Sequence, residues 1–253
     1  MSRRHAADVI VTLVERDLKV RYRHSVLGLV WSQLGPLALL AMMSVIFIHV
    51  IPLHVPHYPL FVVVGLLAWT WFASAVDAAT HSIVNGRELV RRPGIEVALL
   101  PTTAVVTQLM HFLLAMPVLL VAEWLVLRHV PLTVVALPVV VAAQLAVTLA
   151  PAWLFAALNV RWRDIGHAVT LALMPLFYAT PVFYPPSRVP SHWRSIFGLN
   201  PLSRLLTDYR NVLLFGRWPA WGGLAALIAI GLAAAVVARE FLTRHAHAFA
   251  EEL

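Results

Sequence analysis

The sequence predicts an all-α integral membrane protein. It reads as six transmembrane helices, an N-terminal amphipathic interface helix, and re-entrant helices between spans five and six. Three observations carry this. Of 253 residues, 60% are hydrophobic and only 12% are charged, against about 25% charged in a soluble domain. So few polar side chains would leave a water-soluble fold of this length with an uncovered surface. The apolar residues also gather in long blocks rather than alternating, and a spanning helix needs about 20 apolar residues whereas a barrel strand needs about 10 in alternation. Finally, the cations are unevenly shared among the connections.

The blocks are Leu34–Ile51, Leu60–Ala79, Thr102–Val121, Leu132–Leu158, Ile165–Tyr184 and Ala220–Ala238. Placing the N-terminus in the cytoplasm puts thirteen of the nineteen Lys and Arg inside: Arg3, Arg4, Arg16, Lys19, Arg21, Arg23, Arg87, Arg91, Arg92, Arg161, Arg163, Arg239 and Arg244. Arg128 and five cations between Ser187 and Pro219 remain outside. Short cationic loops resist translocation, so the asymmetry sets orientation and leaves both termini cytoplasmic. The net charge of +7 is therefore topology and anionic-lipid contact, not nucleic-acid binding.

Before the first span, Val9, Ile10, Leu13, Val14 and Leu18 fall at helical spacing, with Asp8, Glu15, Arg16 and Lys19 on other faces. Glu15 and Lys19 are a favourable i,i+4 pair, and Asp17 interrupts the apolar stripe. Such a helix lies flat in the membrane interface. The stretch "RYRHSVLGLVWSQLGP" then passes from charge to grease along its axis, and Gly35–Pro36 bends the chain into the first span. The N-terminus is too charged to contain the apolar core of a cleavable signal.

Between spans two and three, "NGRELVRRPGIEVALLP" places turn signals around a short helical piece, Arg87 to Arg92. After span four, "NVRWRDIGHAV" makes a charged turn of Arg161, Arg163 and Asp164. The long segment after Pro185 is too rich in Leu, Phe and Trp for a structureless loop. Leu202, Leu205, Leu206, Tyr209 and Leu213 give it helical spacing. Short helices that dip back into the membrane fit this pattern, with the irregular backbone protected by protein.

No chemistry of its own is evident. The sole Lys is Lys19, preceded by Leu18, so no GxxxxGK[ST] loop is present. ATP-driven work needs a second polypeptide. There is no Cys, and the twelve His are scattered without an HExxH pairing. Ionisable residues inside spans are functional candidates: Asp77 with His81 at i+4, His111, and Glu123. The Asp77–His81 pair reads as a proton relay, as an embedded enzyme of lipid or glycan metabolism, or as a helix-end charge among headgroups. Glu123, beside Trp124 and near Arg128, reads as interfacial.

Three ordered runs, "RDLKVRYRHSVLGLVWSQLGPL", "LNVRWRDIGHAV…TPVFYP" and "LNPLSRLLTDYRNVLLFG", resemble the ABC-2-type permeases of polysaccharide export, which move O-antigen, capsular polysaccharide or teichoic acid. The resemblance covers nearly the whole chain, as a single transmembrane domain over residues 1–253. It implies a non-enzymatic half-transporter of the cytoplasmic (inner) membrane, two copies of which form the path. Two copies of a separate P-loop ATPase, holding the ATP and Mg, would dock beneath; this chain would bind no cofactor or metal itself. Residues 1–28 would be the interface helix, with Glu15, Arg16, Asp17, Lys19 and Arg21. Residues 85–101 would couple to the ATPase through Arg87, Glu88, Arg91 and Arg92, joined by Arg161, Arg163 and Asp164. Residues 185–219 would be the external re-entrant pair. The segment "RELVRRPGIEVALLP" departs most from the family pattern.

A hydroxylated polymer with apolar C–H faces suits flat aromatic contacts that release it readily. The path candidates are Trp31, Trp69, Trp71, Phe72, Tyr178, Phe183 and Tyr184, although Trp and Tyr also belt lipid interfaces. The same architecture serves export of a small lipophilic drug or lipid, since fold does not settle cargo.

Overall fold

A computed structural model of the chain describes residues 8–15, Met42, Val45, residues 55–90 and residues 96–252. Among these residues there are helices and turns and no strand. After a helical stretch at residues 8–15, the order is α1 (Tyr58–Asn85), α2 (Arg87–Val90), α3 (Leu99–Leu127), a 3-10 turn (Leu132–Ala136), α4 (Leu137–Arg161), α5 (Asp164–Ala179), a second 3-10 turn (Pro186–Arg188), α6 (Ser191–Leu199), α7 (Pro201–Leu213) and α8 (Trp221–Glu252).

Among the described residues, four stretches are long and apolar enough to cross a membrane: Tyr58–Asn85, Leu99–Leu127, Leu132–Arg161 and Trp221–Ala246. They coincide with the second, third, fourth and sixth blocks of the sequence. The first block lies outside the described residues except for Met42 and Val45, both helical. The fifth differs from expectation. Its helix, α5, has 16 residues, a rise of about 24 Å against a hydrocarbon core of about 30 Å. It stops at Ala179 because Thr180, extended at φ −99° and ψ 130°, precedes Pro181, and a residue before proline avoids the helical region.

Local chemistry sets the other boundaries. Pro59 sits in the first turn of α1, where its missing N–H costs nothing. The helix continues past Ala79, and Thr80 and Ser82 satisfy their own hydroxyls within it by donating to Val76 O and Ala79 O. Gly86 ends it, its N–H returning to Ser82 O. α7 opens with Asn200, whose side-chain oxygen accepts from Leu202 N at 3.0 Å, and with Pro201 in the first turn. The expected apolar face of α7 is borne out: Leu202, Leu205, Leu206, Tyr209 and Leu213 are all buried.

α1 is the central rod, packed against α3, α4, α5 and α7, while α8 runs along α4. Lipid tails are as apolar as Leu, so helices in a membrane associate through close packing and polar contacts. Both occur. A Cβ on Gly231 of α8 would come within 2.8 Å of the Ala146 carbonyl carbon and 2.9 Å of Val147 N, so the two backbones nearly touch. Gln144 of α4, fully buried, donates from Nε2 to Ala68 O of α1 at 2.7 Å.

The chain path defines two ends of this bundle. One gathers the end of α1, α2, the start of α3, the α4–α5 turn and the later part of α8, around Ile83, Val90, Leu100, Val160 and Leu242. The other gathers the start of α1, both 3-10 turns, α6 and α7.

Candidate coupling and translocation sites

At the first end, Arg87, Glu88, Arg161, Arg163 and Asp164 are all exposed, and Val90 fixes α2 to the body by burial. Arg91 and Arg92 lie outside the described residues, as do Arg16, Asp17, Lys19, Arg21 and Trp31. Glu15 is exposed on the N-terminal helical stretch.

Beside the α4–α5 turn stands a residue that sequence reasoning passed over. Asn159, 3% exposed, donates from Nδ2 to Thr80 O at 3.0 Å and accepts from Gly166 N–H at 2.9 Å. It thereby ties α1, the end of α4 and the first turn of α5. Gly166 is required there, since a Cβ would collide with the His81 ring and approach Asn159 Oδ1 to 3.1 Å. Four residues on, Thr170 donates to Asp77 Oδ1 at 2.8 Å. Asp77 and His81 thus each face α5, and together with Asn159 they form a polar α1–α5 seam. The only signal in the sequence was an amide at the end of an apolar run, just before a charged turn.

The other end is organised by a buried cation. Arg210 of α7 is 2% exposed. Nε donates to Phe61 O at 3.2 Å, Nη1 to Pro181 O at 2.7 Å and Nη2 to Val182 O at 2.6 Å. The guanidinium carbon stands 3.5 Å from the centroid of the Phe61 ring, a cation–π contact. Gly65 makes room, since a Cβ there would meet Nη2 at 2.5 Å. Three of the five guanidinium N–H groups thus satisfy carbonyls, two of them freed where α5 unwinds. Tyr58 adds a bond from its hydroxyl to Phe183 O at 2.9 Å. Glu123, four residues before the end of α3, is fully buried, and among the described residues neither carboxylate oxygen has a hydrogen-bond partner.

The expected path aromatics separate into two groups. Trp71, 3% exposed, stacks on Phe112 with centroids 4.8 Å apart, and Phe112 meets Tyr209 edge-on. Trp69 and Phe183 are buried against Phe177, at 5.3 Å and 5.2 Å from that ring, and buried Phe72 lies 5.9 Å from Trp69. Tyr178 is 61% exposed, on a face of α5 shared with exposed Leu171 and Met174. Tyr184 is half-buried and donates its hydroxyl to the Tyr178 carbonyl at 2.7 Å.

The described residues thus form an all-helical bundle with a charged turn at one end and short amphipathic helices at the other. The ABC-2 type transporter family matches residues 8–214, and the chain belongs to it. Similar proteins include an O-antigen export system permease protein RfbA from Myxococcus xanthus, 36% identical over 97% of this chain and 95% of that one. Two relatives of the same name come from Klebsiella pneumoniae. One is 28% identical over 97% of this chain and 95% of its own length. The other is 29% identical over 83% of this chain and 81% of its own.

Proposed function

We propose that this chain is the permease subunit of an ABC exporter that moves a polysaccharide or lipid-linked glycan across the cytoplasmic membrane. The observation that carries this is the match, over 97% of the chain, to a relative named for O-antigen export. Two copies enclose the path, each with six spans, the first drawn from the Leu34–Ile51 block and the fifth completed by the unwound residues after Ala179. The α6–α7 pair re-enters from the external side, where the apolar face of α7 supports it. A partner P-loop ATPase binds the ATP and Mg.

The coupling surface is the end bearing Arg87, Glu88, Arg91, Arg92, Arg161, Arg163 and Asp164, with the N-terminal helix and its Glu15, Arg16, Asp17, Lys19 and Arg21 beside it. Exposed charges at such a contact set docking and register. The glycan path runs along Trp31, Tyr178 and Tyr184, with Trp69, Trp71, Phe72 and Phe183 as the aromatic wall behind them. Rings of this kind offer contact without the grip of a charge.

Deleting the gene and restoring it tests the reading directly. Surface polysaccharide is expected to disappear on deletion and return on complementation, and the tagged chain is expected to co-purify with an ATPase. Unchanged surface polymer with altered drug tolerance would overturn the glycan reading in favour of a lipophilic cargo. For the coupling surface, Arg91→Glu with Arg92→Glu is expected to reduce ATPase co-purification. Wild-type recovery and wild-type export in that double variant would remove the assignment.

A further inference from the structure

Three clefts adjoin at the end of the bundle that holds Arg210, and the 3-10 turn Pro186–Arg188 stands between them. The largest, about 510 Å³, is lined by Tyr184, Arg188, Val189, Pro190, Trp193 and Phe197. A second, about 360 Å³, is lined in part by Ser187, Arg188, Thr207 and Asn211. A third, about 300 Å³, shares Val189 and Phe197 with the first and Thr207 with the second. Together they form one furrow with rings on one flank and hydrogen-bonding groups on the other.

The ring flank is held in place. Tyr184 meets Phe197 edge-on with centroids 6.5 Å apart, and its hydroxyl is anchored on Tyr178 O. Trp193 is 48% exposed and stands beside His192, centroids 5.6 Å apart. A flat apolar surface beside a guanidinium, hydroxyls and an amide is what a pyranose requires, because its C–H faces pack on rings and its hydroxyls both donate and accept.

We infer that this furrow is a saccharide-binding subsite, in which Trp193 and Tyr184 stack on a sugar ring of the exported polymer and Arg188 bonds its hydroxyl or carboxylate oxygens. The inference rests on the glycan-export reading. Stacking is weak and repeatable, so a chain passing the site is guided without being trapped.

A Trp at this end also fits a lipid-interface belt, and two substitutions separate the roles. Trp193→Phe keeps a stacking ring, whereas Trp193→Leu keeps lipid affinity and loses the flat face. In cells, the rate at which pulse-labelled polymer reaches the surface is expected to fall roughly 3- to 10-fold for Trp193→Leu, the worth of one aromatic contact. Trp193→Phe is expected to stay near wild type, and Arg188→Gln to fall in the same direction as Trp193→Leu. Independently, Trp193→p-benzoylphenylalanine under ultraviolet light is expected to give a polymer–protein adduct only in cells that synthesise the polymer. Wild-type export by Trp193→Leu, or adducts with lipid alone, would overturn the subsite. Surface polymer that persists when the whole chain is deleted would instead overturn the export reading beneath it.

Discussion

Arginine is used in opposite ways at the two ends of this bundle. At one, Arg161 and Arg163 stand exposed around Trp162, with Arg161 over the indole at 5.4 Å. Glu96 and Arg239 pair on the same exposed surface. At the other, Arg210 is sealed inside and spends its N–H groups on main-chain carbonyls. The difference follows from what each end must satisfy. Helices that end in water have water for their last carbonyls, whereas a chain that unwinds inside protein has none and needs a donor. A guanidinium with a rigid fork of donors supplies several at once.

The sharpest way to break this contrast is to remove the sealed cation. Arg210→Met leaves the Pro181 and Val182 carbonyls without the guanidinium and is expected to cost on the order of 3–4 kcal/mol, read as a fall in thermal unfolding temperature in detergent. Arg210→Lys should recover only part, since a single ammonium cannot reach Phe61 O and both carbonyls of the unwound segment. Equal stability of the Met variant and the native chain would show that the carbonyls find other donors.

Next in size is the seam at the exposed end. Asn159→Leu removes the two bonds that tie α1 to the first turn of α5, a loss of about 1–3 kcal/mol. The same unfolding measurement, with hydrogen exchange at the start of α5, should show the loosening confined to that turn. The smallest effect sharpens the comparison from the other side. Arg161→Glu with Arg163→Glu should change stability by less than about 0.5 kcal/mol while lowering ATPase co-purification. A large loss of stability in that variant would mean those cations are structural after all. Arg239→Gln, which breaks an exposed ion pair, is expected to cost no more than about 1 kcal/mol.

Much of the architecture was legible in the sequence. The Leu99–Leu127 and Trp221–Glu252 helices announce themselves because lipid requires a sustained apolar run and imposes nothing subtler. The inward face of α7 was also plain, from five residues at helical spacing. Within the fifth block the helix end was hidden: Ile165–Tyr184 contains no Asp, Glu, Lys or Arg, yet Thr180–Pro181 ends the helix, and hydropathy averages do not register a break of two residues. The burial of Glu123 was not legible either: its neighbours Trp124 and Arg128 suggest an interface, and only tertiary packing shows that protein encloses it there. Asn159 and Arg210 were hidden because their partners are main-chain atoms 79 and up to 149 residues away. A backbone carbonyl has no letter in the sequence. The aromatic candidates were visible as letters, but only packing separates Trp71, stacked inside the bundle, from Tyr178, displayed outside it.

The near-touching backbones at Gly231 limit how the subunit is able to deform. A slip of α8 along α4 by one turn would bring Leu227 or Ala235 to the place that only a hydrogen atom now occupies beside the Ala146–Val147 peptide. That pair of rods therefore serves as a keel.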